Sequence, residues 1–192
     1  EYKSFKADVK NKLPEWKKHF IEYSEKYQVP WTLIAAVAYQ ESKWQADAKS
    51  HTGVKGFMQL TSETAQHLGV EDREDPIQSI QGGSYYLKYL YDKTPQKLTR
   101  FERWIQALAA YNVGYAHLKD IHRLAKIQNT DSYRWINLKN LLPELSNKEN
   151  LEIFQYGLAR GEETVEFIEN VLNYHEALNH IFTQRSQTSR DF

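Results

Sequence analysis

The feature that most constrains the fold is a short apolar run that ends in a carboxylate. Residues 35–38 are small and apolar, and Glu41 follows where this pattern stops. The surrounding segment, residues 31–42, is apolar on most sides, which predicts a central, buried helix. A carboxyl group at the end of such a helix is partly desolvated and lies near the negative end of the helix dipole. Both effects raise a carboxyl pKa, as a general acid at neutral pH requires.

The rest of the chain also has the pattern of helices. Apolar residues recur at three- and four-residue spacing, and alternating strand patterns are absent from the sequence. We therefore predict an all-α fold of roughly eight helices packed around the central one. The expected helices cover residues 13–27, 31–42, 61–69, 76–90, 103–112, 115–127, 132–142, 148–156 and 163–182.

Composition limits the domain organisation and the function classes. A chain of 192 residues suits one domain, which we expect over residues 1–183, followed by a polar tail over 184–192. Lysine plus arginine and aspartate plus glutamate are equal at 25 each, which argues against a nucleic-acid binder. No stretch approaches the ~20 apolar residues of a membrane-spanning helix. The chain begins with Glu1 instead of methionine, which suggests a mature or excised fragment of a larger protein.

Metal and cofactor chemistry have no support in the sequence. The absence of cysteine excludes disulfides, thiolate zinc sites and cysteine nucleophiles. The seven histidines include no pair at the i, i+4 spacing that places two ligands on one helix face. We expect no metal site and no cofactor.

Three segments carry candidate chemistry: Glu41–Ser42, residues 53–60 and residues 110–114. Each lies at a helix end or in a loop, where functional sites are often built. Each also has a simpler interpretation. Glu41 would then be an exposed helix-end carboxylate, the glycines would serve turns, and Asn112 would be a polar cap.

In this order and spacing, the segments resemble the soluble-lytic-transglycosylase family of peptidoglycan-cleaving enzymes, and most of all the catalytic module of its membrane-bound F-type members. The resemblance extends from about Leu13 to Leu178. The matching motifs are Ala38-Tyr39-Gln40-Glu41-Ser42, Thr52-Gly53-Val54 with Gly56, Leu60-Thr61, Thr64-Ala65-Gln66, Gln78-Ser79-Ile80 with Gly82-Gly83, Leu108-Ala109-Ala110-Tyr111-Asn112, Gly114-Tyr115-Ala116-His117, Tyr156-Gly157, Ala159-Arg160-Gly161-Glu162 and Glu169-Asn170.

The resemblance implies a lysozyme-like helical fold and a substrate of alternating N-acetylglucosamine and N-acetylmuramic acid. It makes Glu41 the sole catalytic acid and base, with Tyr111 and Asn112 on the opposite wall of the cleft. The other residues implied to contact the glycan are Ser42, Ser50, Gly56, Phe57, Met58 and Gln59. One departure is that Phe167-Ile168 stands where the family usually has Tyr-Val. Tyr174 is the nearby tyrosine that we consider as a replacement.

The residues around Glu41 also bear on the mechanism. Ordinary glycoside hydrolysis uses two carboxylates. The flanking loop offers only Asp47, which we expect to be solvated. One carboxylate suffices if the C6 hydroxyl of the substrate attacks C1, which leaves a 1,6-anhydro sugar. Glu41 then acts as acid and afterwards as base.

Two alternatives stay open at this point. One is a hydrolytic muramidase of the same fold, in which Asp47 or another carboxylate positions water. The other is a catalytically weak peptidoglycan-binding module, which the presence of Phe167 would favour. For the leading interpretation we expect a monomer that binds peptidoglycan strands in the periplasm, with an outer-membrane association in the full-length protein. The F-type members further imply a regulatory domain that resembles a solute-binding protein and is missing from this chain.

Overall fold

The computed structural model describes residues 2–48 and 53–188, with side chains as far as residue 184. The described residues form nine α-helices and two 3-10 helices, and their only β pairing is an isolated bridge between Lys55 and Leu60. This confirms the all-α prediction. The helices are α1 (Tyr2–Asn11), α2 (Leu13–Tyr27), α3 (Trp31–Ser42), α4 (Ser62–His67), α5 (Pro76–Asp92), α6 (Arg100–Val113), α7 (Tyr115–Ile127), α8 (Trp135–Leu141) and α9 (Gly161–Thr188), with 3-10 helices at Leu142–Ser146 and Lys148–Asn150.

The chain divides into two compact units. The first comprises Glu1–Tyr86 together with Asn170–Phe192, and the second comprises Leu87–Glu169. The predicted single domain over residues 1–183, with its polar tail, stays a prediction.

Helix α3 lies in the core of the first unit. Its residues Leu33, Ile34 and Val37 are at most 3% exposed, as is typical of a helix covered on all sides. Full burial of such a side chain stabilises the fold by roughly 1.5–3 kcal/mol. Helix α2 packs against α3, and Pro30 precedes the first residue of α3. The prediction of a central helix over residues 31–42 is confirmed.

Helix α1 is an element that the sequence pattern did not reveal. Only Phe5 and Val9 are buried in it, one turn apart, and most of the other residues of the helix are polar. The ring of Phe5 lies 4.8 Å from the rings of Tyr39 and Tyr174, centroid to centroid. Two apolar residues at i, i+4 are too few to predict a helix from their spacing. Tertiary contacts stabilise this helix, and they cannot be seen in the local sequence.

In the second unit, a buried carboxylate shapes the segment after α8. Asp120 is fully buried and accepts hydrogen bonds from the backbone N–H groups of Gln155 and Tyr156, both at 2.9 Å. It also pairs with Arg123 at 3.1 Å. The predicted helix over residues 148–156 is wrong, because only Lys148–Asn150 is helical. At the end of this segment, the backbone N–H groups of Gln155 and Tyr156 bond to the Asp120 carboxylate instead of to helix carbonyls.

Candidate active site

Glu41 lies in the last turn of α3, immediately before a sharp change of chain direction. The N–H of Lys43 bonds to the carbonyl of Tyr39 at 2.8 Å, and Lys43 and Trp44 both have positive φ angles, 52° and 55°. Each such residue costs roughly 1–2 kcal/mol. The indole N–H of Trp44 donates to the carbonyl of Ala35 at 2.9 Å, and only 2% of Trp44 is exposed. Packing of this ring therefore holds the turn that fixes the position of Glu41.

The Glu41 carboxyl group has the electrostatics of a proton donor. Burial raises its pKa from 4.5 to about 8, and no charged group among the described residues contributes to the shift. The side chain is half-buried. A carboxyl group with this pKa is mostly protonated at neutral pH, so it has a proton to donate, and its conjugate base is strong enough to take one back.

The raised pKa predicts a pH-dependent stability. The carboxyl ionises near pH 4.5 in the unfolded chain and near pH 8 in the folded protein, so stability is lost as the pH rises between these values. A glutamine side chain has nearly the same shape as that of glutamate, but it does not ionise. We expect Glu41→Gln to equal the parent in free energy of unfolding at pH 4 and to exceed it by about 2–4 kcal/mol at pH 8.

Urea unfolding at the two pH values, followed by circular dichroism, measures this difference. Asp47→Asn is the matched control, because Asp47 is an exposed carboxylate close by in the chain. As an exposed residue, it should change the free energy of unfolding by no more than about 0.5 kcal/mol. A Glu41→Gln stability difference that does not depend on pH would contradict the buried, protonated carboxyl.

The serines that sequence analysis connected with the glycan are placed unequally. Ser42 is buried, and its hydroxyl donates to the carbonyl of Ala38 at 2.8 Å, within α3. Ser50 lies outside the described residues. Their contact with a glycan stays a prediction.

The loop from residue 53 to residue 60 is held by hydrogen bonds within the loop and to Ala48 and Arg73. Gly56 has a φ of 84°, and its N–H bonds to the carbonyl of Ala48 at 3.1 Å. The side-chain amide of Gln59 donates to the carbonyls of Gly56 and Ala48, at 2.7 and 3.2 Å. Arg73 donates to the carbonyl of Gly53 at 2.9 Å and to that of Leu60 at 3.0 Å. The amide N–H₂ of Gln59 is therefore committed to the loop itself.

The apolar residues of this loop are anchored in the core. Phe57 and Met58 are fully buried, and the Phe57 ring lies 4.8 Å from that of Trp16. A Cβ atom on Gly83 would lie 2.6 Å from the Met58 methyl carbon, so α5 needs glycine there. The close approach at this glycine is made by the loop that carries Met58. Phe57 and Met58 thus anchor the loop, and their contact with a glycan stays a prediction.

Tyr111 and Asn112 lie in the last turn of α6, in the second unit. The Asn112 side-chain oxygen accepts a hydrogen bond from the Thr164 hydroxyl at 2.8 Å. The Tyr111 ring stacks on Phe167, with 6.3 Å between centroids and 8° between planes. Phe167 is 3% exposed, so it packs as an apolar support for Tyr111.

Tyr174 belongs to the first unit and supports the turn that follows Glu41. Its hydroxyl accepts a hydrogen bond from the Lys43 ammonium at 3.1 Å. The same ammonium lies 4.6 Å from the centre of the Tyr39 ring, and the Tyr39 hydroxyl donates to Asp8 at 2.9 Å. Sequence reasoning missed Lys43 and Asp8. In the sequence, only the position of Lys43, two residues after Glu41, indicated that it could belong to the site.

The predicted site residues are thus distributed over both units. Those of the first unit are Glu41, Ser42, Gly56, Phe57, Met58, Gln59 and Tyr174, and those of the second are Tyr111 and Asn112. Across the described ranges, 2–48 and 53–188, no group of three or more histidine, aspartate or glutamate side chains could hold a metal ion. No helix in those ranges has the length and hydropathy needed to cross a membrane.

The sequence is similar to known transglycosylases. The profile of the transglycosylase SLT domain family matches residues 18–134. Membrane-bound lytic murein transglycosylase F of Stutzerimonas stutzeri is 42% identical over 175 residues, which cover 91% of this chain and 36% of that protein. The protein of the same name from Vibrio cholerae is 40% identical over 189 residues, 98% of this chain and 35% of that protein. The chain thus spans about a third of the length of these relatives.

Solved structures share the fold. An inactive mutant of lytic transglycosylase Slt from Pseudomonas aeruginosa superimposes with a TM-score of 0.61 at 20% identity, covering 86% of this chain and 24% of that one. The 70 kDa soluble lytic transglycosylase of Escherichia coli gives a TM-score of 0.57 at 22% identity, covering 87% of this chain and 24% of that one. The lysozyme-like helical fold is confirmed.

Proposed function

The chain belongs to the transglycosylase SLT domain family, and on that premise we propose that it is a lytic transglycosylase that cleaves the glycan strands of peptidoglycan. The bond broken is the β-1,4 link from N-acetylmuramic acid to N-acetylglucosamine. The observation that carries the proposal is the Glu41 carboxyl, whose pKa burial raises to about 8. A group of this kind is protonated at neutral pH and reactive as a base once it has lost its proton.

Glu41 acts twice in the proposed reaction. Its carboxyl proton passes to the glycosidic oxygen, the bond from C1 to that oxygen breaks, and N-acetylglucosamine leaves with a free hydroxyl. The acetamido group of the substrate stabilises the positive charge at C1. The C6 hydroxyl then bonds to C1, and its proton returns to the Glu41 carboxylate. The new end is 1,6-anhydro-N-acetylmuramic acid, and no water is consumed.

The remaining predicted site residues have supporting roles in this proposal. Gln59 holds the loop around Gly56, which presents backbone groups to the sugar. The Tyr111 ring, backed by Phe167, supplies an aromatic surface of the kind that packs on sugar faces. Ser42 acts through the helix end that carries Glu41, since its hydroxyl is bonded within α3.

The surroundings of the protein are part of the same proposal. The relatives are named as membrane-bound murein transglycosylases, and this chain covers about a third of their length, 36% and 35%. We propose that it works in the periplasm as the catalytic part of a longer, outer-membrane-associated protein. That protein would carry a regulatory domain resembling a solute-binding protein, and the catalytic part would act as a monomer without metal or cofactor.

The chemistry of the new glycan ends tests the proposal. Purified murein digested with the protein should release fragments that end in the 1,6-anhydro sugar, as measured by mass spectrometry. Reducing ends would indicate the hydrolytic alternative, which depends on a second carboxylate such as Asp47. In the structure Asp47 is an exposed loop residue.

A further inference from the structure

The second unit carries alternating lysines and tyrosines that the proposed reaction does not use. We call them the lysine–tyrosine strip: Tyr89, Lys93, Tyr115, Lys119 and Tyr156. The Lys93 ammonium lies 4.8 Å from the centres of the Tyr89 and Tyr115 rings. The Lys119 ammonium lies 5.3 Å from the centres of the Tyr115 and Tyr156 rings. Each lysine thus spans two rings, and Tyr115 is shared by both.

The strip is accessible and positively charged. Tyr89 is 38% exposed and Tyr156 is 42% exposed, and both lysines are exposed. Neither lysine has a carboxylate within ion-pair distance in the described part of the chain, whereas the neighbouring Lys88 pairs with Asp92. The chain as a whole has no net charge. Two ammonium groups without counter-charge therefore form a local site for anions.

A small cavity lies next to the strip. It has a volume of about 60 Å³, and Lys93 and Tyr115 line it together with Gln106 and His122. Gln106 is 1% exposed. Its amide nitrogen donates to the carbonyl of Ser132 at 3.1 Å, while its side-chain oxygen has no partner. The Gln106 oxygen is buried and lies out of reach of a ligand on the strip, so the contacts with a ligand come from the lysines and the tyrosine rings themselves.

We propose that the lysine–tyrosine strip binds the peptide stems that peptidoglycan carries on its muramic acid residues. This inference rests on the proposed function. The stems are short peptides that offer both carboxylates and amide N–H groups. The carboxylates pair with Lys93 and Lys119, and the tyrosine rings cover the aliphatic parts of the peptide. The strip thereby selects glycan that still carries its peptides.

Binding of two matched glycans tests the strip. The ligands are soluble murein oligosaccharides with intact stems, and the same oligosaccharides after an amidase has removed the stems. In the Glu41→Gln background, Lys93→Ala with Lys119→Ala should raise the Kd for the stem-bearing ligand roughly five- to ten-fold, as expected for two exposed charge contacts. The Kd for the stem-free ligand should stay unchanged, and the difference should shrink in high salt.

The matched control is Lys97→Ala with Lys126→Ala, which removes two exposed lysines of the same unit. It should leave both Kd values unchanged. Equal Kd values for the strip variant and its parent, or equal losses on both ligands, would overturn the proposal. Failure of the proposed function is separate: it would appear as murein left uncut by the parent protein, whatever the strip variant binds.

Discussion

Replacing Glu41 with glutamine is expected to lower the rate of murein cleavage by roughly 10²–10⁴-fold, the contribution of a general acid and base. Glutamine matches the shape of the side chain but neither gives up nor accepts the proton. Burial raises the pKa of the native carboxyl to about 8, which suits both steps near neutral pH. The initial rate at which soluble muropeptides are released from purified murein, at pH 6.5, measures the effect.

Asp47→Asn is the control for this loss of activity. Asp47 is exposed and takes no part in the proposed reaction, so its amide variant should keep most of the parent rate. The cleavage rates of the two variants together show whether the reaction depends on the carboxyl of Glu41 or on that of Asp47. A variant at residue 41 that retains the parent rate, or an equal loss at residue 47, would contradict a reaction that depends on one carboxyl group.

Gly56→Ala is expected to destabilise the protein by about 3–5 kcal/mol, the upper range for a single substitution. A Cβ atom at this position would lie 1.9 Å from the carbonyl oxygen of Arg73, far inside contact distance. Backbone would have to move, and the N–H bond from Gly56 to Ala48 would be strained with it. The loop that Gln59 and Arg73 hold would be displaced. Urea denaturation gives the loss directly, and murein cleavage should fall with it.

Gly53→Ala distinguishes the steric clash expected at residue 56 from the conformational cost of a positive φ angle. Gly53 has nearly the same φ, 79° against 84°, but a Cβ atom there meets nothing within 4 Å among the residues that the structure describes. Only the conformational cost of roughly 1–2 kcal/mol should appear. If both alanine variants lost the same stability, the close contact between Gly56 and Arg73 would be wrong.

Periodic apolar segments allowed much of the fold to be predicted. The run over residues 31–42 identified the buried helix, because burial on all sides leaves a continuous apolar pattern. Helix α1 was missed since only Phe5 and Val9 contact the core. The helix predicted over residues 148–156 failed for another reason: its backbone donors are used by Asp120, which is more than 30 residues away in the chain. Long-range partners of this kind leave no local pattern.

The candidate site was predictable in part. The raised pKa of Glu41 followed from its place after an apolar run, and the structure confirms desolvation as its cause. The conformation of the loop around Gly56 was harder to predict, because irregular backbone gives no periodic pattern in the sequence. The hydrogen bonds from the Gln59 amide to Gly56 and Ala48 could not be predicted, and the contact of Gln59 with the glycan stays a prediction. The contacts of Lys43 with Tyr174 and Tyr39 depend on tertiary structure alone.

The central claim is that Glu41 acts first as acid and then as base while the substrate itself supplies the nucleophile. Digestion of murein in oxygen-18-labelled water tests it most directly. Mass spectrometry of the products should show 1,6-anhydro ends that carry no label, because no water oxygen enters the glycan. Reducing ends, one water heavier and labelled at C1, would contradict the account and establish hydrolysis.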